Sequence, residues 1–258
     1  GLKNTAIPFT YNNLAELEEI IHNNNIGVIK MEVSRSFTPE QGYLEAVRKL
    51  ANENDIILIF DECTSGFRET FGGLHKKYNV EPDMAMFGKA LGNGYAITAV
   101  IGCKDVMKFA DETFISSTFW TERIGSVAAL KTLQIMEKEK SWDAITEMGK
   151  SVNEEWKKLA LKYNLTIKVF GLPSMTSFQI ESKNWIKYKT YITQEMLKSG
   201  YLATNTIYFS IAHTKDIVNG YIQKLDEIFK TISKCEDGKN IDELLDNEVC
   251  YTHFGRLN

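Results

Sequence analysis

Two side chains in this sequence have the type and the surroundings for chemistry. Lys89 sits in "FGKALGNGYAITAVIG", between an apolar run and a glycine-rich turn that leads into a second apolar run. A lysine so placed is a solvated surface charge, a phosphate clamp or a covalent nucleophile. Asp61 closes the apolar run "IILIF" and is followed by Glu62. In open α/β sheets, ligands bind outside the carboxyl ends of the strands, so Asp61 and Lys89 are expected to face one cleft. A carboxylate beside a lysine has two readings. One is an ion pair at a sheet end, which spacing alone favours because structural pairs are common. The other is a Schiff-base site, in which the amine bonds to a cofactor aldehyde and the carboxylate keeps the cofactor's ring nitrogen protonated, so that the ring draws electrons.

The elements that must position these residues are legible from periodicity. "NLAELEEIIHNN" has helical spacing and "IGVIKMEV" is strand-like. "TPEQGYLEAVRKLANEND" reads as an amphipathic helix opening at its Thr-Pro, and "IILIF" as a buried strand. Strand, helix, strand in that order implies a right-handed crossover and parallel strands buried on both faces. "CTSGFRETFGGLHKKYNVEP" is rich in glycine and polar residues and reads as a loop at the carboxyl end of the strand. "DMAMF" and "AITAVIG" are two further strands, joined by too few residues for the dozen or so a parallel crossover needs. They are therefore expected to run antiparallel, Met84–Phe87 against Ala96–Ile101, with Lys89 in the turn between them.

From Ile124 to about Tyr163 the pattern is helical. "TIKVFGLPSMTSFQI" returns to strand texture, "KYKTYITQEMLKSGYLA" is a helix ending at Gly200, "IYFSIA" a strand, and "TKDIVNGYIQKLDEIFKTISKC" a long amphipathic helix. Strand and helix without tight alternation indicate a separate α+β domain. The expected division is residues 1–140, an α/β domain, and residues 141–258, a small carboxyl-terminal α+β domain.

Composition excludes several function classes. With 258 residues, 43% hydrophobic and 25% charged, the chain has ordinary globular composition. A formal net charge of −4 offers no electrostatic footprint for nucleic acid. No apolar run approaches the roughly 20 residues of a membrane helix. The start, "GLKNTAIPFTYNN", lacks a basic head followed by a long apolar core, so no signal peptide is expected. Cys63, Cys103, Cys235 and Cys250 show no CxxC spacing, which suits reduced thiols and a cytoplasmic location. His22, His75, His213 and His253 form no ligand pair, so no metal is expected. A P-loop is rejected, because Asp83 stands where its first glycine belongs and Ala90 follows the lysine.

The wording of the two motifs goes further than their spacing. "IILIFDECTSGFRETFGG" followed by "PDMAMFGKALGNGYAITAVIG" closely resembles the class III aminotransferases, pyridoxal phosphate enzymes of fold type I. "GFRETFGG" is similar to the glutamate-1-semialdehyde aminomutase branch. The resemblance implies part of a mostly parallel sheet with helices on both faces, then a small α+β domain. It implies that Lys89 is the Schiff-base lysine, which also moves the proton at the reacting carbon, and that Asp61 pairs with the ring nitrogen. Cys63 falls where the family has an apolar residue on the ring face, and Thr64 where it has Gln or Met near the ring hydroxyl. Thr118, in "ISSTFWTERIG", matches the family threonine that binds the cofactor phosphate across a homodimer interface, although Trp-Thr-Glu-Arg replaces the usual Gly-Asn-Pro after it.

The implied reaction moves an amino group from a small-molecule donor, glutamate being the expected one, to a carbonyl acceptor such as a keto sugar or a semialdehyde. The alternatives are a 2,1-aminomutase with the same machinery and a non-catalytic partner subunit. The resemblance covers the later part of such an enzyme. The loop that cradles the phosphate and the aromatic that stacks on the ring belong to the family's earlier segment. That segment is expected either on another chain, as a separate amino-terminal segment, or to have been removed, or the protein is a degenerate relic. Arg68 reads as a substrate-carboxylate ligand or a structural pair, and His213 as a satisfied strand-end histidine. Trp120, Trp142, Trp156 and Trp185 read as packing residues.

Overall fold

The computed structural model describes residues 5–34 and 37–251. The chain divides into two compact units, Gly1–Asp143 and Ala144–Asn258, and the division falls in the first turn of one helix.

The first unit is built on a four-stranded sheet in the order β1 (Val28–Glu32), β2 (Ile57–Asp61), β3 (Met84–Phe87) and β4 (Ala99–Gly102). Helix α1 (Leu14–Asn23) precedes β1, and α2 (Tyr43–Glu53) makes the β1–β2 crossover. The β1–β2 and β2–β3 pairs are parallel, and β3–β4 is antiparallel with Met86 opposite Val100. The short connection therefore has the expected consequence. The strand after it starts later than expected, at Ala99, because Asn93 and Gly94 both adopt left-handed backbone (φ 47° and 104°) and lengthen the turn. Likewise α2 starts at Tyr43 rather than at the Thr-Pro, since Gly42 (φ 81°) cannot belong to a right-handed helix.

One face of the sheet is core. Ile29, Met31, Leu58, Phe60, Ala85 and Phe87 are buried at alternating positions, as a pleated strand dictates. Tyr43, Leu44, Val47 and Ala51 give α2 its buried stripe. The opposite face carries Val28, Lys30, Glu32, Ile57, Ile59, Asp61, Met84 and Met86, which the described residues leave exposed or half-buried. Among the described residues, α2 packs on the buried face. Asp83, at the start of β3, ties the layers together: it accepts from Arg48 Nη1 of α2 at 2.8 Å and from the Leu58 N–H at 2.7 Å.

Beyond β4 come α3 (Lys104–Met107), an exposed loop, and α4 (Arg123–Glu139). Lys140 turns left-handed (φ 46°) and separates α4 from α5 (Ser141–Lys162), so the long helical stretch is two helices. In the second unit, β5 (Ile167–Leu172), β6 (Met175–Ile180) and β7 (Thr206–Tyr208) form an antiparallel sheet, joined by α6 (Trp185–Lys198) and followed by α7 (Lys215–Glu236). Its core holds Trp156, Phe178, Tyr188, Ile192, Leu225 and Phe229. The buried Trp156 indole N–H donates to Tyr221 Oη at 3.1 Å, which satisfies a polar atom that would otherwise be costly to bury. Among the described residues no helix is long and apolar enough to cross a membrane.

Candidate active site

The site is assembled at the carboxyl ends of β2 and β3. The register places Asp61 opposite Met86, and the Glu62 N–H continues the ladder to Met86 O at 2.8 Å. The chain then turns sharply through residues 63–68. Gly66 permits that turn: a Cβ there would lie 2.7 Å from Glu62 O and 2.8 Å from the Phe87 ring. The turn presents Cys63 and Thr64 toward the end of β3, where Lys89 begins a single 3₁₀ turn.

Lys89 Nζ donates to Thr64 Oγ1 at 2.5 Å. Thr64 is buried, whereas Lys89 is exposed. Lys89 has left-handed backbone (φ 41°), a conformation that costs a residue with a side chain on the order of 1–2 kcal/mol. Gly88 before it is extended, and Gly92 closes the turn where a Cβ would sit 2.2 Å from Tyr95 O. A lysine held in a conformation that glycine prefers marks local strain, and such strain clusters at functional sites.

Asp61 accepts from Lys30 Nζ at 2.7 Å on Oδ2 and from the Cys63 N–H at 3.2 Å on Oδ1. Burial pushes the Asp61 carboxyl up, but the hydrogen bonds from Lys30 and Cys63 outweigh it, and the net effect holds it below its ordinary value. It is therefore an anion at neutral pH. The Cys63 thiol is pushed up, by burial first and then by Asp61, so it stays protonated at neutral pH despite the two nearby lysines.

Beneath the turn lies a buried network that sequence reasoning missed. Glu62 Oε2 accepts from Ser65 Oγ at 2.5 Å, and Oε1 accepts from the His75 N–H at 3.0 Å and lies 2.9 Å from His75 Nδ1. Gly73 leaves room for it, since a Cβ there would be 2.2 Å from the His75 ring. The adjacent Asp-Glu pair thus splits its work: Asp61 faces the site and Glu62 anchors the turn from below. The signal available in the sequence was the acidic pair followed by a lone histidine, but nothing in spacing joins them.

The structure brings Asp61, Cys63, Thr64 and Lys89 together. Thr118 is not among them: it lies in an exposed turn, with no described hydrogen bond to the other four. Arg68 Nε donates weakly to Thr64 O, at 3.4 Å. His213 accepts from the Ser210 N–H at 3.1 Å, as a satisfied histidine does. Trp120 corrects an expectation, being 67% exposed rather than packed, while Trp142 lies 5.4 Å from Phe71 and Trp185 6.3 Å from Phe178 between ring centroids. All four cysteines are free, and no metal-binding cluster occurs among the described residues. A cavity of about 420 Å³ in the second unit is lined by Tyr201, Phe209, His213 and Tyr221, and by none of the assembled site residues.

Comparison with known proteins supplies the family. Residues 13–230 match the family Aminotransferase class-III. The chain belongs to the class-III aminotransferase family. It is 37% identical over 195 residues to the 3-aminobutyryl-CoA aminotransferase of Cloacimonas acidaminovorans (strain Evry), covering 72% of this chain and 47% of that protein. It is 28% identical over 245 residues to the glutamate-1-semialdehyde 2,1-aminomutase of Hyperthermus butylicus, covering 86% of this chain and 58% of the other. Among solved structures, the PLP internal aldimine form of the FumI protein of Sphingopyxis sp. MTA144 superposes with a TM-score of 0.83 at 21% identity, over 92% of this chain and 60% of that one. An omega-transaminase from Sphaerobacter thermophilus gives 0.78 at 18% identity, over 87% and 56%. These structural likenesses speak for the fold. The chain spans about half to three fifths of the length of the relatives it matches.

Proposed function

We propose that this chain carries the reactive end of a pyridoxal-phosphate-dependent transaminase, which moves an amino group from a small amino donor to a carbonyl acceptor. The observation that carries the reading is the placement of Lys89, strained and hydrogen-bonded to Thr64, just beyond the strand beside the one that ends in an ionised Asp61. When bound, the cofactor supplies an aldehyde for an amine and a ring that draws electrons from the reacting carbon.

The donor set suits that group. Lys89 would supply the amine that holds the aldehyde and the group that moves a proton at the reacting carbon. Asp61 would hold the ring nitrogen, Cys63 would lie on the ring face, and Thr64, which hydrogen-bonds Lys89, would lie near the ring hydroxyl. The first unit corresponds to the later part of the large cofactor-binding domain and the second unit to the small carboxyl-terminal domain.

Thr118 is assigned to the cofactor phosphate across a homodimer interface. In support, the loop around it exposes Phe114 (93%), Ile115, Phe119 and Trp120, and α4 adds Val127 and Leu130. An apolar surface of this extent on a soluble protein marks an interaction site. The names of the two relatives divide between transfer to a second molecule and rearrangement within one. The longer match is to the aminomutase and the higher identity is to the aminotransferase. We take the aminotransferase reading, with a semialdehyde or keto sugar as acceptor.

The experiment is a spectrophotometric titration with pyridoxal phosphate, with and without the amino-terminal segment supplied, followed by addition of 15N-glutamate and a carbonyl acceptor. The reading expects Lys89-dependent binding and 15N in the product from the acceptor. Retention of nitrogen within a single substrate molecule would turn the reading to the aminomutase.

A further inference from the structure

Lys30 has no part in the reading above, yet it touches the residue on which that reading depends. It stands on β1, paired with Ile59, while Asp61 is paired with Glu32. Lys30 and Asp61 therefore project from the same face of two parallel strands, two positions out of step, a span that a four-carbon side chain bridges. The Nζ–Oδ2 distance is 2.7 Å. The neighbours of Lys30 on that face are otherwise largely apolar, namely Val28, Ile57, Ile59, Met84 and Met86, with Glu32 at the end of its own strand. The Asp61 side chain is 21% exposed and that of Lys30 51%.

Both oxygens of Asp61 thus have a donor before any ring nitrogen arrives: Oδ2 has Lys30 and Oδ1 has the Cys63 N–H. An incoming pyridinium must share one of them. It also approaches an ammonium of the same charge, since both cations lie against a single carboxylate. A like charge within a few ångströms disfavours the protonated form of a base. At the same time, the ion pair fixes the carboxylate plane that a ring nitrogen must meet.

We propose that Lys30 is a positioning residue of the cofactor site, orienting the Asp61 carboxylate and sharing its negative charge with the ring nitrogen. The inference rests on the functional reading above. Its consequence is a ring whose nitrogen holds its proton less firmly than it would against an unshared carboxylate. Lys30 acts through Asp61 and needs no contact with substrate.

The test uses the full chain and three forms of residue 30: lysine, Lys30→Arg and Lys30→Met. Methionine keeps length and apolar bulk on a strand whose face is already apolar, so the fold is retained. In the cofactor-free proteins, carbon-detected NMR follows the Asp61 carboxyl. It is expected to titrate higher in Lys30→Met, where the lowering hydrogen bond is lost, and to return toward wild type in Lys30→Arg. With pyridoxal phosphate labelled at the ring nitrogen, the 15N shift followed against pH reads proton affinity at that atom. Lys30→Met is expected to raise it roughly tenfold, the lower end of what removing a nearby like charge produces.

An unmoved Asp61 carboxyl in Lys30→Met overturns the inference at its root. A carboxyl that moves with no change at the ring nitrogen overturns the cofactor role and leaves an ordinary ion pair. If none of the three proteins, with the amino-terminal segment supplied, binds pyridoxal phosphate through Lys89, the functional reading fails and takes the cofactor role with it, while the carboxyl titration still reports on the pair.

Discussion

Asp61 and Lys89 stand at adjacent strand ends, with Asp61 opposite Met86 in the parallel register and Lys89 three residues further along. The two are linked through the turn between them, since Cys63 hydrogen-bonds Asp61 and Thr64 hydrogen-bonds Lys89. One carries a fixed negative charge and the other an amine with room to react.

The strain at Lys89 gives a stability prediction that separates function from folding. Lys89 is exposed and adopts φ 41°, so its side chain adds little packing while its backbone carries a cost. Lys89→Gly should be more stable than Lys89→Ala by about 1 kcal/mol, because only glycine relaxes in left-handed backbone. Both should lose cofactor attachment. Urea unfolding of the two variants decides it; equal stability would mean that the turn carries no such strain.

Glu62 should matter more for stability than any other acidic residue of the turn. It is buried and serves Ser65 and both the backbone and ring of His75. Glu62→Ala leaves those buried polar groups without a partner and should cost roughly 1–3 kcal/mol. Glu62→Gln, which keeps an acceptor oxygen, should cost less. Denaturation midpoints of the two variants provide the check.

Asp61 links stability to pH. Its folded carboxyl lies below its ordinary value, so its contribution is present above the unfolded value near 3.9 and is lost as pH falls through the folded one. Asp61→Asn should therefore be less stable than wild type at pH 7, and the gap should close on acidification below about pH 4. Unfolding curves at a series of pH values test the sign. A gap that widens in acid would contradict it.

Much of this was legible in the sequence, for physical reasons. Asp61 and Lys89 follow apolar runs that are strands because buried strands read as continuous apolar segments. The antiparallel β3–β4 pair followed from a connection too short to cross over. The Lys30–Asp61 pair was not legible, since it depends on the register between β1 and β2, which joins residues far apart in sequence. The Glu62–His75 contact was hidden because it closes across an irregular turn with no period to read. The helix break at Lys140 was missed because left-handed backbone at a lysine leaves no compositional trace. Trp120 was read as core from its type alone, yet its loop is exposed throughout.

The central claim is that Lys89 is the amine that bonds to the cofactor. The direct measurement is borohydride reduction of the cofactor-loaded full assembly, with the amino-terminal segment supplied, followed by proteolysis and mass spectrometry of the tagged peptide. The account predicts a single phosphopyridoxyl tag, on Lys89 in the peptide spanning "FGKALGNGY", and no tag in Lys89→Ala. A tag carried mainly by another lysine, Lys30 included, would contradict it.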